Sequence, residues 1–94
     1  MDKRNGGQGL SPADISVLRV LVKNEGRVVS RESLVRMAGL DSSSARRVDV
    51  SLVTIRRVLG PDTVRTVRSR GWILTDHGLS VARIALGDAL DISE

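Results

Sequence analysis

The sequence predicts a mainly α-helical domain that ends in one small β-hairpin. Three observations lead there. Apolar residues recur at three- and four-residue spacing in three consecutive segments, serines stand where helices would open, and residues 63–74 turn to β-branched side chains interrupted by "SRG".

A chain of 94 residues makes one small domain, and 40% apolar residues, mostly Val, Leu and Ile, support a modest aliphatic core. With one Trp and no Phe or Tyr, large aromatic anchors do not dominate the packing. Absent cysteine excludes disulfides and cysteine metal sites. No apolar run reaches the ~18 residues of a membrane span, and "MDKRNGGQG" has no apolar signal core. These features predict a soluble cytoplasmic domain.

Residues 1–9, with "NGGQG", read as a flexible leader. "LSPAD" then opens the first helix: Ser11 is the N-cap, Pro12 suits the first helical position, and Asp14 completes a capping box. Ile15, Leu18, Leu21 and Val22 form its apolar stripe, and Gly26 is the expected stop after a helix of about 12–24. "RVV" (27–29) is too short for an independent strand but can pair with one from elsewhere. Ser30 caps a second helix, about 31–38, with Leu34, Val35 and Ala38 inward. "GLDSSS" (39–44) reads as a loop that supplies the cap of the next helix.

The third helix, about 45–59, is the most informative element. At 100° per residue, Val48, Leu52, Ile55 and Leu59 fall within about 60° of one another and make a narrow core stripe. The opposite side collects Arg46, Arg47, Val50, Val53, Thr54 and Arg57. Two outward valines are unusual on a solvated helix and suit an apolar contact in a DNA groove. Asp49, the one acid on this helix, is at helical spacing from Arg46 and Arg56 and is expected to orient an arginine.

"GPD" (60–62) ends this helix, and residues 63–74 form the hairpin, with its arginines around the turn. Trp72 and Leu74 share a face of its second strand and pin it to the core; the sides taken by Val64 and Val67 stay open. In "LSVARIALGDAL" (79–90), Leu79, Ala82, Leu86 and Ala89 fit a short helix that packs on the domain or on a second copy. Residues 76–94 thus read as an acidic C-terminal extension to a domain of residues 10–75.

The net charge of +4 is unevenly placed. Residues 44–74 carry seven arginines against Asp49 and Asp62, a net of +5, whereas residues 75–94 have a net of −3. Arginine presents a planar donor fork suited to phosphates and guanine edges.

Helix, extended bit, helix, basic helix and basic hairpin, in that order, describe a winged helix-turn-helix with a three-helix core and a C-terminal wing. The chain resembles the DNA-binding domain of OmpR-type response regulators. "LSPADISVLRVLVKNEGRVVSRESL" is similar to that family's first half, "RRVDVSLVTIRRVLG" to its recognition helix, and "VRTVRSRGWIL" to its wing. The resemblance implies a transcriptional regulator whose partner is double-stranded DNA. Its third helix would lie in the major groove and its wing in the adjacent minor groove. Carried over by position, Arg47, Val50, Ser51 and Thr54 would face base edges, Arg56 and Arg57 would hold phosphates, Thr66 would make a backbone contact, and Arg68 would be the wing arginine. Arg46, from the basic face, and Arg70, from its place at the turn, join this set.

The chain departs from the family pattern in several places. Ser51 and Thr54 stand where the family often has His and Arg, and "RMAGLD" lacks the family's Trp. The loop into the third helix, which contacts RNA polymerase in some members, is short. Nine residues before the first helix leave no room for the family's N-terminal sheet, and no receiver domain is expected. A homodimer on DNA and a contact with RNA polymerase or another protein stay open. The expected place of action is the cytoplasm, on the nucleoid.

The competing reading is a winged-helix protein-interaction module whose basic face docks on an acidic partner. A basic recognition face together with a basic wing tip favours DNA, which uses both surfaces. An enzyme is not expected. His77, the one histidine, is placed in the loop "TDHG", and no catalytic residue, metal ligand set or cofactor motif is found.

Overall fold

Ser11, Ser30 and Thr75 set the starts of three of the four helices. In the computed structural model, which describes residues 9–41 and 45–87, the order is α1 (Pro12–Lys23), α2 (Arg31–Met37), α3 (Ala45–Leu59), β1 (Val64–Val67), β2 (Gly71–Leu74) and α4 (Asp76–Leu86). The mainly helical chain with its one hairpin is a winged helix-turn-helix. The expected cap of α3 in the serine run 42–44 and the expected leader, apart from Gly9, lie outside the described residues.

The capping box on α1 is complete: the Asp14 amide donates to Ser11 Oγ at 3.2 Å, and the Ser11 amide donates to Asp14 Oδ2 at 2.9 Å. Such a pair satisfies two of the donors that a helix start leaves without partners. The other end closes earlier than expected. Asn24 is the C-cap, its backbone amide and its Nδ2 both bonding the Val20 carbonyl, so Gly26 serves the following turn at φ +80°.

The core is a single aliphatic cluster. Val48, Leu52 and Ile55 of α3 meet Leu18 and Leu21 of α1 and Leu34 and Val35 of α2, all buried. Val17 and Val20 are buried too, outside the expected stripe of α1, because α1 is packed by α2, α3, α4 and β2 together. Of the two alternatives for the C-terminal segment, α4 takes the first and packs on the domain. Ala82 and Leu86 are buried, and the helix starts at Thr75 rather than near Leu79. The Thr75 hydroxyl accepts from the Gly78 amide at 2.8 Å and donates to the Asp62 carbonyl at 2.7 Å, which ties the new helix to the hairpin's entrance. His77 therefore sits exposed in the first turn of a helix, not in a loop. Ala89, the last residue of the expected apolar face, lies outside the described residues.

The hairpin pairs Val64 with Leu74, Arg65 with Ile73, Thr66 with Trp72 and Val67 with Gly71. Val64 and Leu74 are buried and Val67 is half-buried, which settles the sides that alternation left open. "RVV" finds its partner here: the Val29 amide donates to the Trp72 carbonyl at 2.8 Å, and the Trp72 amide to the Val29 carbonyl at 3.0 Å. The chain before α2 thus covers the second edge of β2. Among the described residues, no helix is long and apolar enough to cross a membrane.

Candidate nucleic-acid interface

Helical geometry divides α3 into two faces. Val48, Leu52 and Ile55 hold one against the core, so Arg46, Arg47, Val50, Val53 and Arg57 stand exposed on the other, with Thr54 half-buried at its margin. The first turn of α3 contains no acidic residue and includes Arg46 and Arg47. Cations at a helix N-terminus oppose the helix dipole, an arrangement that an incoming anion relieves.

Ser51 departs from the role that the resemblance assigned it. It is fully buried, about 60° around the helix from Val48 and on the core side of Arg47 and Thr54. A side chain there cannot reach a base edge, so Ser51 is withdrawn from the interface. Its Oγ has no hydrogen-bond partner among the described residues. A buried hydroxyl left in that state costs stability. Ser51→Ala is therefore expected to raise the unfolding free energy by about 1 kcal/mol, helped by alanine's helix propensity. Denaturant titration measures the gain, and DNA affinity should stay unchanged; a loss of affinity would return the hydroxyl to the interface.

Two arginines join α3 to the hairpin. Arg56 donates through Nε to the Val64 carbonyl at 3.1 Å and through Nη2 to Thr66 Oγ1 at 2.8 Å. Arg56 thus acts as a strut inside the protein, with Nε and Nη2 turned towards β1. The acceptance by Thr66 Oγ1 leaves that hydroxyl's own hydrogen to point elsewhere, and Thr66 is exposed. The second tie starts in α2. Arg31 donates through Nη2 and Nε to Asp49 Oδ1 at 2.9 and 3.2 Å, and its guanidinium carbon lies 5.3 Å from the centre of the Trp72 ring. Asp49 orients an arginine, as expected, but the arginine is Arg31 rather than Arg46 or Arg56. The pair is about half exposed and is worth at most ~1 kcal/mol, with a similar amount from the cation–π contact. Its effect is to hold α2, α3 and β2 at one junction. Nothing in local spacing announces it, since the partners are 18 residues apart.

The hairpin's end carries the remaining charges. A tight turn closes with the Arg70 amide donating to the Val67 carbonyl at 2.9 Å, and Ser69 occupies the left-handed region at φ 64°. A non-glycine residue there costs roughly 1–2 kcal/mol. Arg68 and Arg70 flank it, both exposed, and Arg65 is exposed further down β1. Among the described residues the ion pairs are Arg31–Asp49 and Arg83–Glu25, and neither involves the outward arginines of α3 or the hairpin. No group of side chains among the described residues could hold a metal ion.

The geometry is therefore a basic helix face and a basic hairpin tip, joined by two arginine ties. Residues 7–74 match the family described as "Transcriptional regulatory protein, C terminal". The chain is similar to the response regulator protein PmrA of Pseudomonas aeruginosa, 37% identical over 67 residues, which covers 67% of this chain and 29% of that protein. It is also similar to the transcriptional regulatory protein CutR of Streptomyces coelicolor, 38% identical over 66 residues, covering 67% of this chain and 30% of that protein. The chain thus corresponds to less than a third of the length of these relatives. No solved structure matches it. Helix order, hairpin, basic face and sequence agree: the chain belongs to the transcriptional regulatory protein C-terminal family, the winged helix-turn-helix DNA-binding domains of OmpR-type regulators.

Proposed function

We propose that this domain binds duplex DNA with α3 in the major groove and the β1–β2 hairpin over the adjacent minor groove, and that it regulates transcription at the sites it selects. The observation that carries the reading is the pairing of two exposed arginine surfaces on elements tied to each other by side-chain contacts. Arg46, Arg47 and Arg57 lie on α3 and Arg68 and Arg70 at the hairpin tip, while Arg56 and Arg31 fix one element against the other. A protein dock needs one basic surface, whereas groove and flank together use both.

The roles follow from placement. Arg47, Val50 and Thr54 address base edges; Arg46 and Arg57, towards the two ends of the helix face, hold phosphates of the groove walls. Thr66, its oxygen already engaged by Arg56, donates its hydroxyl hydrogen to the backbone. Arg68 enters the minor groove, where narrow A·T tracts concentrate negative potential, and Arg70 adds charge beside it.

Selection of bound fragments from random duplex DNA tests this reading. An enriched motif is the expected result, and a repeated motif at fixed spacing would show two copies bound side by side. A pool that stays random, with no retention of duplex DNA, would overturn it in favour of an acidic protein partner.

A further inference from the structure

The outward stripe of α3 is only partly basic. Arg46, Val50, Val53 and Arg57 fall within about 60° of one another around the helix. Val50 is 47% exposed and Val53 60% exposed, so neither contributes much to the core. Valine is also a poorer helix former than alanine by several tenths of a kcal/mol. Folding therefore supplies no reason for the two residues, and a bound partner can.

The chemistry of the rest of α3 narrows what that partner offers. The helix contains no Asn or Gln, the side chains suited to adenine in the major groove. Its one carboxylate, Asp49, which could accept from cytosine, is held by Arg31. Ser51 is buried. What remains towards solvent is arginine, which suits guanine and phosphate, the Thr54 hydroxyl, which suits any base, and the methyl groups of Val50, Val53 and Thr54. The base feature with matching chemistry is the C5-methyl of thymine, the one apolar group on the major-groove edge.

The spacing suits it as well. Val50 and Val53 are about 4.5 Å apart along the helix axis, close to the ~3.4 Å step between base pairs. Arg46 and Arg57 stand about 16 Å apart along the same axis, enough to straddle a groove ~12 Å wide with the valines between them. Charge at both ends seats the helix, and the apolar centre meets the bases.

We infer that Val50 and Val53 are specificity-determining residues that read thymine C5-methyl groups at neighbouring base pairs. The inference rests on the proposed entry of α3 into the major groove. It is tested on the duplex recovered from the random selection, with each thymidine replaced in turn by deoxyuridine. Uracil keeps the pairing and the O4 acceptor and removes the methyl group alone. The expected result is an affinity loss of about fourfold at one or two thymines, the value of burying one methyl group. Val50→Ala and Val53→Ala, exposed changes that leave the core intact, should bind the thymine duplex more weakly and become insensitive to the uracil replacement at the thymine each one reads. Duplex binding that is indifferent to every uracil replacement overturns this inference and leaves the DNA reading standing. So does a sensitivity that persists in both valine variants. Absence of binding to either duplex overturns the DNA reading itself, and this inference with it.

Discussion

Gly71→Ala is expected to cost roughly 3 kcal/mol or more, through a forbidden backbone angle and an overpacked contact together. Gly71 opens β2 at φ +144°, and a Cβ there would run into the Val29 carbonyl and come within 2.9 Å of Ser30 Cα. Both atoms are backbone, so no rotamer change relieves the clash. The edge pairing of Val29 with Trp72 depends on that close approach. For a domain of this size the midpoint of thermal unfolding should fall by more than about 10 °C. Gly26→Ala is the control: Gly26 also has positive φ, at +80°, but nothing lies within 4 Å of its would-be Cβ. That variant should lose only about 1–2 kcal/mol from the left-handed backbone. Equal losses in the two variants would mean that close packing at Gly71 is not what seats the hairpin.

Removing one arginine from each basic surface is expected to have the largest effect on binding. Arg47→Ala and Arg68→Ala should each weaken binding to the selected duplex about tenfold, and the double variant about a hundredfold, because the two lie on separate elements. Arg68→Ala should lose most on sites with an A·T-rich flank. Both side chains are exposed, so thermal melting should be unchanged. Competition titrations at ~100 mM salt, where screening is still moderate, read both effects. Unchanged affinity in the double variant would remove α3 and the hairpin from the interface together.

Much of the architecture was legible because its signals are local. The Ser11 capping box, the 48–52–55 core stripe and the break at "SRG" each act over a few residues, and the elements they mark stand where expected. The start of α4 was misplaced because its cap, Thr75, is fixed by bonds to Asp62 and Thr63, which only the folded hairpin brings near. Burial of Val17 and Val20 follows from α1 being packed by α2, α3, α4 and β2 together, again a tertiary event.

The interface divides in the same way. The exposed arginines and valines of α3 follow from helical period alone. Ser51 came from positional resemblance instead, and its place beside the core stripe overrides that assignment. The charge of Arg56 is visible in sequence, whereas the carbonyl of Val64 that engages it is not. Arg31 was missed altogether, since its carboxylate and its aromatic partner come from two other elements.

The most direct test of the central claim, that both arginine surfaces grip duplex DNA, is the salt dependence of affinity for wild type, Arg47→Ala and Arg68→Ala. A plot of log K against log salt has a slope of about −0.9 per phosphate neutralised. Contacts from Arg46, Arg57, Arg68 and Arg70 would give wild type a slope of roughly −3 or steeper, and Arg68→Ala a slope shallower by about 1. Arg47→Ala, placed on a base edge, should lose affinity with a smaller change of slope. A wild-type slope near zero, or one that neither substitution alters together with affinity that neither reduces, would contradict the account.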